Sequence, residues 1–396
     1  MFDDNWCLTF PFEIYGTNTR YKRRLKIFDF ILNSKLKMPT ESAMNGGIGT
    51  ESYAKNSRYQ RGIAETAKEI ITEGIKKNLD IEKLSLTSVN TFRIADFGCS
   101  TGPNTFIAMQ TIVEAVWKKF ETELSDSQVP DFQVFFNDRT SNDFNTLFAS
   151  LPPERKYYAA GVPGSFYKRQ FPKDSLHFAH SSCTLNWLSV LPQEILDNSS
   201  PAWNQGKITY SGERKEVFNA YALQYAKDLD SFFKARAQEL VCGGLTALVI
   251  PSVPNPNNDL SNITFPSYDL LGDCLVELAE RGRFDAAKVD SFNLPVYYTY
   301  PNELKAIIEK NQDFSIERIE VLNIQSKHQI DPDSKAYSLG KRAVFEGLLQ
   351  EHFGSEFMDE LFDLYTEKVE ETAVLLNPKE TSMVTFVLLK RDIRIT

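Results

Sequence analysis

One short segment, RIADFGCSTGPNT at 93–105, restricts the possible folds of this chain more than any other. Its apolar run ends at Asp96, passes through Gly98 and several small residues, and reaches Gly102 just before a proline. Glycine adopts backbone conformations that other residues avoid, and proline is tolerated in the first turn of a helix. The segment therefore predicts a buried strand that turns sharply into a helix, a unit typical of sites that bind nucleotide-like ligands.

The same alternation of strands and helices continues along the chain. We predict strands at 92–98, 132–138, 175–182 and 245–251, with long helices at 52–79, 103–120 and 213–240. The pair Gly243–Gly244 is expected to end the last of these helices. Two later strands, at 314–324 and 382–391, are expected to close the sheet. The pattern is typical of an α/β fold with a doubly wound, mostly parallel sheet.

We expect helices to cover the ligand-binding edge of this sheet. After residue 251 the sequence becomes a proline- and asparagine-rich loop, and helical segments follow it. Ligands of open α/β sheets bind at the carboxyl ends of the strands, so a helical cap there would enclose a substrate. The predicted organisation is one domain at 44–396, with the cap contributed mainly by 187–215 and 252–350.

The first 43 residues do not follow this pattern. They open with acidic residues and have neither a continuous apolar region nor a small-residue cleavage site, so they are a poor secretory signal. We interpret 1–43 as an atypical, poorly ordered extension, with Met38 as an alternative start. The alternative is a targeting element or an anionic-surface contact, because RYKRRLK at 20–26 is basic.

The amino-acid composition argues against several classes of protein. The net charge of −9 over 396 residues argues against nucleic-acid binding, which needs a basic face. The five cysteines have no CxxC spacing and there are only four histidines, which argues against structural zinc and for free thiols in a reducing compartment. No apolar run approaches the roughly 18–20 residues of a membrane span. We therefore expect a cytoplasmic protein without a nucleic-acid or membrane partner.

The spacing of the glycine turn limits its ligand. A phosphate-binding P-loop needs a GxxxxGK[ST] pattern, and this segment has no lysine. A dinucleotide fingerprint needs GxGxxG, whereas Gly98 and Gly102 are separated by three residues. An adenosyl ligand without phosphates remains, and Asp138 at the end of the next predicted strand offers a carboxylate for its ribose hydroxyls. The alternative is an ordinary tight turn with a solvated acid.

Seven motifs then follow one another in the order of one known family. They are MNGGIGTESYAKNSRYQ (44–60), ADFGCSTGPNT (95–105), FFNDRTSNDFNTLF (135–148), GVPGSFYKRQFP (161–172), HSSCTLNWLS (180–189), SFNLPVY (291–297) and HFG (352–354). Together they resemble the SABATH family of plant S-adenosylmethionine-dependent methyltransferases, which methylate carboxyl groups of small acids or ring nitrogens of xanthines. The resemblance covers 44–391, leans towards loganate- and farnesoate-type members, and implies a seven-stranded Rossmann-like class I methyltransferase domain.

The resemblance implies S-adenosylmethionine as methyl donor and S-adenosylhomocysteine as product. The residues it places at this cofactor are Tyr53, Ser57, Asp96, Cys99, Asn104, Asp138, Arg139, Ser165 and Phe166. Asp96, Cys99 and Asn104 would hold the methionine part. Asp138 would bind the ribose, while Ser165 and Phe166 would flank the adenine. Arg139 departs from the usual leucine, and its guanidinium either lies over the adenine or points to solvent.

The resemblance also implies the acceptor site. Gln60 and Trp187 match the pair that anchors a substrate carboxylate through neutral N–H donors, and Cys183 and Asn186 depart from the usual residues beside them. The smaller Cys183 suggests an acid larger than a benzoate, so we prefer a terpenoid-type acid. Transfer to its methyl ester would be direct and in line, without a general base, because a carboxylate is already ionised at neutral pH. His177 and His180 are expected to be structural.

The resemblance also bears on a metal site, on the oligomeric state and on the alternative functions. Asn204, Asp290, Asn293 and the backbone of Phe292 match positions that hold Mg²⁺ in some members, and the alternative is a capped turn without metal. A homodimer is expected. The alternative functions are an N-methyltransferase of xanthine-like substrates, which shares these motifs, and a non-catalytic homologue that binds the cofactor.

Overall fold

The computed structural model describes residues 43–82, 84, 91–124, 129–257, 259–324, 333–374 and 383–392. Apart from residue 43, the predicted N-terminal extension lies outside these described residues. In the described ranges, no helix has both the length and the apolar character that a membrane span requires.

Seven strands of the described chain form one sheet. They are β1 (Thr91–Phe97), β2 (Asp131–Asp138), β3 (Tyr158–Pro163), β4 (Leu176–Ser182), β5 (Leu240–Ser252), β6 (Phe314–Asn323) and β7 (Met383–Arg391). Their order across the sheet is β3-β2-β1-β4-β5-β7-β6. The first five run parallel, while β7 pairs antiparallel with both β5 and β6. The predicted doubly wound, mostly parallel fold is confirmed.

The α-helices follow the predicted alternation. They are α1 (Tyr53–Asn56), α2 (Arg58–Asn78), α3 (Asn104–Glu123), α4 (Phe144–Ala149), α5 (Lys215–Glu239), α6 (Pro266–Glu280), α7 (Ala287–Asp290), α8 (Pro301–Glu309), α9 (Ser334–Phe353) and α10 (Met358–Thr372). Helix α5 ends at Glu239 and β5 begins at Leu240, so the prediction that Gly243–Gly244 ends this helix is wrong. The glycine pair lies inside the strand instead.

The core has two parts, one on each face of the sheet. Successive side chains of a strand point to opposite faces. Phe92 and Ile94 of β1 accordingly pack in the part that contains the apolar face of α2 and α3. Ala95 and Phe97 pack in the other part, which contains the aromatic face of α5. Burial on both faces fixes the carboxyl ends of β1, β2 and β4, where the predicted site residues lie.

Candidate active site

The turn after β1 is built as the glycine pattern predicts. Gly98 has φ +87°, and a Cβ added there would lie 2.2 Å from the Thr184 side chain, so only glycine fits. The N–H groups of Gly98 and Cys99 both donate to the carbonyl of Asn137, at 2.8 and 3.1 Å. These bonds tie the turn after β1 to the end of β2 and leave the start of α3 beside Asp138.

Asp138 is fixed by the backbone of this turn. One carboxylate oxygen accepts from the N–H of Ser100 and the other from the N–H of Arg139, each at 2.7 Å. Burial raises the pKa of Asp138, and these two hydrogen bonds act against that shift. A carboxylate has about four acceptor positions, so two remain for ribose hydroxyls.

Asp96 lies deeper and is held by protein side chains. It is 3% exposed, it accepts from the Thr105 hydroxyl, and its other oxygen lies 2.7 Å from His180 Nδ1. This agrees with a structural role for His180. Burial raises the pKa of both Tyr53 and Cys99, and the charges of Asp138 and Asp96 add to both shifts. The two acids, the phenol and the thiol therefore lie in one buried group of residues.

Ser57 and Asn104 join the start of α2 to the start of α3. The Asn104 amide donates to Ser57 Oγ at 2.9 Å and to the Ser57 carbonyl at 3.3 Å. Asn104 Oδ1 is buried, and it has no hydrogen-bond partner in the described part of the chain. An unused buried acceptor beside two acids fits the ammonium group of S-adenosylmethionine. The residues present therefore fit this cofactor.

The loop after β3 brings the predicted adenine contacts to the same edge. The Gly164 N–H donates to the Asp138 carbonyl at 2.7 Å, which places Ser165 and Phe166 next to β2. Phe166 is 5% exposed, and its ring centroid lies 4.5 Å from that of Tyr167. Burial raises the pKa of Tyr167, and the charge of Arg139 acts against that shift. Arg139 itself follows directly after β2, where its backbone N–H donates to Asp138.

Two residues that support this loop were missed from the sequence. Arg236 and Glu239 of α5 are both 0% exposed and form an ion pair of 2.7 Å. The guanidinium donates to the carbonyls of Phe166 and Lys168, at 2.7 and 3.1 Å. Glu239 accepts from the backbone N–H groups at 170 and 171. The only sequence signal was an arginine and a glutamate three residues apart on the apolar face of a long helix.

All four predicted acceptor residues line one cavity of about 140 Å³. Gln60 comes from α2, and Cys183, Asn186 and Trp187 come from the segment after β4. The Trp187 ring lies 5.6 Å from the ring of Phe345 of α9, centroid to centroid. Tyr53 lines the same cavity, so the cavity is continuous with the predicted cofactor residues.

The two unusual residues have distinct environments. Cys183 has φ +56°, a left-handed conformation that is uncommon for a residue with a side chain. Burial raises its pKa to about 12, so its thiol is neutral at physiological pH and serves neither as nucleophile nor as base. Asn186 is 6% exposed, and its Oδ1 has no partner among the residues that the structure describes. Asn186 also lines the acceptor cavity, so this unsatisfied oxygen lies in the cavity wall.

The predicted metal ligands lie near one another, but N–H groups already engage their oxygens. Asn204 donates to Asn293 Oδ1 at 2.7 Å, and the Gly206 N–H donates to Asp290 Oδ1 at 2.9 Å. Asn204 Oδ1 itself accepts from the Arg214 guanidinium at 3.4 Å. The ring of Phe292 packs in the core, 5.1 Å from that of Phe353.

This arrangement does not fit Mg²⁺. The ion requires near-octahedral oxygen ligands, and a guanidinium that donates to one of these oxygens repels a divalent cation. Across the described ranges, no cluster of three or more His, Cys, Asp or Glu side chains is arranged to hold a metal. The hydrogen bonds from Asn204 to Asn293 and from Gly206 to Asp290 instead tie the loop before α5 to the end of α7 and the segment after it.

Comparisons with known proteins agree with this geometry. Residues 39–392 match the family described as SAM dependent carboxyl methyltransferase. Loganic acid O-methyltransferase of Catharanthus roseus is 47% identical over 83% of this chain and 88% of its own. Farnesoic acid carboxyl-O-methyltransferase of Arabidopsis thaliana is 41% identical over 90% of this chain and 100% of its own.

A solved structure shows the same fold around a bound product. A loganic acid methyltransferase with S-adenosylhomocysteine is 44% identical, with a TM-score of 0.83 over 89% of this chain and 99% of that one. Its bound ligand agrees with the cofactor that the turn after β1 and Asp138 indicate. The chain belongs to the S-adenosylmethionine-dependent carboxyl methyltransferases of the SABATH family, as the motifs predict.

Proposed function

We propose that this enzyme converts a terpenoid-type carboxylic acid to its methyl ester by direct in-line transfer, without a general base. One observation carries the proposal: Gln60 and Trp187, both neutral donors, line the cavity that Tyr53 connects to the cofactor residues. When bound, S-adenosylmethionine supplies the electrophilic methyl group. The protein's task is to hold a carboxylate oxygen against that group and to exclude water.

Neutral donors suit this task better than cations. An arginine pair would stabilise the carboxylate charge and lower its reactivity, whereas an amide and an indole N–H orient the same oxygen with a smaller charge effect. Correct orientation of two reacting groups is worth about 7–11 kcal/mol in favourable cases. Positioning by Gln60 and Trp187 is therefore the main contribution to catalysis that we propose for the protein.

The described lining of the cavity supports a reaction without a general base. No His, Asp or Glu lines it within the described residues, and the Cys183 thiol, with a pKa of about 12, is neutral. An acid substrate has a pKa near 4 and needs no base at neutral pH. His180, the nearest candidate in the sequence, is directed to Asp96 instead.

The lining supports an acid with a sizeable apolar body. Its apolar residues include Met44, Val253, Phe265, Val296, Val344 and Phe345. Cys183 is small where a flat aromatic acid would need a larger ring partner. This lining supports our preference for a terpenoid acid over a benzoate. The homodimer and the domain limits at 44–396 remain predictions that complete this proposal.

The decisive experiment is a methyl-transfer screen with labelled cofactor. Terpenoid, aromatic and jasmonate-like acids form one panel, and xanthines form the other. We expect methyl esters from the terpenoid acids. Methylation of xanthines without any acid would favour the N-methyltransferase, and cofactor binding without turnover on either panel would favour a non-catalytic homologue.

A matched pair of substitutions tests the carboxylate anchor. Gln60→Ala removes a hydrogen bond to a charged group, worth about 1.5–3 kcal/mol, so kcat/KM for the acid should fall about 10- to 100-fold. Gln60→Glu keeps the size but adds a negative charge, and we expect a larger loss. Calorimetric affinity for S-adenosylhomocysteine should be unchanged in both. An equal loss of cofactor affinity would show that Gln60 does not act on the acceptor.

A further inference from the structure

The acceptor cavity contains a lysine that the reaction itself does not require. The Lys341 ammonium of α9 lies 3.6 Å from the ring centroid of Tyr268 and 5.2 Å from that of Tyr337. Such contacts with aromatic faces stabilise a cation in an apolar setting. Of the described residues that line the cavity, Lys341 is the only one with a formal charge at neutral pH.

Ring contacts separate Lys341 from the carboxylate anchor. Phe345 contacts Trp187 on one side, at 5.6 Å, and Tyr268 on the other, at 5.7 Å between ring centroids. Lys341 packs on Tyr268 and lies one helical turn before Phe345 on the same face of α9. The cation therefore lies on the part of the cavity wall that Tyr268 forms, one turn of α9 away from the ring that contacts Trp187.

Hydrogen-bonding groups accompany this cation. Thr264 lines the cavity, and its Oγ1 is buried without a hydrogen-bond partner in the described chain. The hydroxyls of Tyr268 and Tyr298 meet at 2.6 Å on the same wall. Asn186, next to Trp187, also lines the cavity, and its buried Oδ1 has no partner in the described chain. Leaving a buried polar atom unsatisfied costs about 1–3 kcal/mol, so a ligand that pairs with these atoms gains affinity.

We propose that Lys341 and Thr264 form a second recognition site, which selects acids that carry hydroxyl groups in addition to the methylated carboxyl group. This inference rests on the proposed function. A hydroxyl oxygen accepts from the ammonium, and its hydrogen is donated to an unused oxygen of the wall. A hydrocarbon acid of the same skeleton leaves the Thr264 hydroxyl without a hydrogen-bond partner. It also displaces water from the ammonium and offers no hydrogen bond in its place.

The test compares two acids that differ by one hydroxyl group, geranic acid and 8-hydroxygeranic acid. We measure kcat/KM for both, and calorimetric affinity for both in the presence of saturating S-adenosylhomocysteine. One hydrogen bond to a charged group predicts that the natural enzyme prefers the hydroxy acid by about tenfold or more. In Lys341→Met this ratio should fall to about one, and in the isosteric Thr264→Val it should fall about threefold.

Two further variants serve as controls. Lys341→Arg keeps the charge and should retain part of the preference. Lys335→Met removes a positive charge from an exposed position of the same helix and should leave the ratio unchanged. Equal affinity of the natural enzyme for the two acids would overturn the proposal, as would an equal loss on both acids in Lys341→Met. Absence of turnover on any acid would contradict the proposed function instead, and the binding ratio would still decide the role of Lys341.

Discussion

Replacing Arg236 by methionine tests how the adenine-side loop is held in place. The guanidinium is fully buried and donates to Glu239 and to two carbonyls of the loop. It also packs on the rings of Phe97 and Phe232, 3.8 and 4.9 Å from their centroids. Burial lowers its pKa to about 10, so it remains charged at neutral pH. Methionine keeps the apolar packing and removes the charge.

The expected loss of folding stability follows from the unpaired Glu239 that remains after the substitution. Glu239 would be left buried without its cation, and removing one partner of a buried pair costs about 3–5 kcal/mol. At roughly 2 °C per kcal/mol for a chain of this size, the melting temperature should fall by about 6–10 °C. The double variant Arg236→Met, Glu239→Gln should recover most of this loss, because a glutamine oxygen still accepts from the backbone N–H groups at 170 and 171.

The assay is thermal and urea unfolding, together with the KM for the cofactor. A matched control is Lys234→Met, which removes the cation of the exposed pair with Asp230 on the same helix. That change should cost less than about 1 kcal/mol. Since the loop carries Ser165 and Phe166, Arg236→Met should also raise the cofactor KM more than the acceptor KM. A loss in Arg236→Met no larger than in the control would refute the reasoning.

Two further predictions concern the cofactor turn and the unusual cysteine. Asp138→Asn should weaken binding of S-adenosylhomocysteine by about 10- to 100-fold in calorimetry, because hydrogen bonds to a charged group are worth about 1.5–3 kcal/mol, while acceptor KM changes less. Unchanged affinity would contradict the ribose assignment. Cys183, with its pKa raised to about 12, should resist iodoacetamide at pH 8 while the exposed Cys242 reacts, as measured by peptide mass spectrometry. Comparable labelling of both thiols would show that Cys183 is not held neutral.

The central strands were predictable, because a continuous apolar run indicates a strand that is buried on both faces of the sheet. The strands β1, β2, β4 and β5 are apolar runs between turn signals, and each was identified. Strand β3 was missed because it is an edge strand whose residues are mostly half-buried or exposed. The helix was predicted to extend to Gly243–Gly244, because a glycine pair is a common helix end. These glycines instead lie where the pairing of β5 with β4 is irregular, between Leu240 and Leu245.

The two halves of the site differ in how far they could be predicted. The cofactor half depends on backbone turns, and glycine spacing and strand-ending acids report such turns directly in the sequence. The pairing of Asp96 with His180 escaped prediction, because it joins residues 84 positions apart.

The acceptor half is assembled differently. Gln60, Cys183, Thr264 and Lys341 reach one cavity from four separate parts of the chain, so no local pattern specifies it. None of these four lies in the turn at 98–102. Substitutions at positions 183, 264 and 341 can therefore change the preferred acid while the turn after β1 continues to bind the same methyl donor.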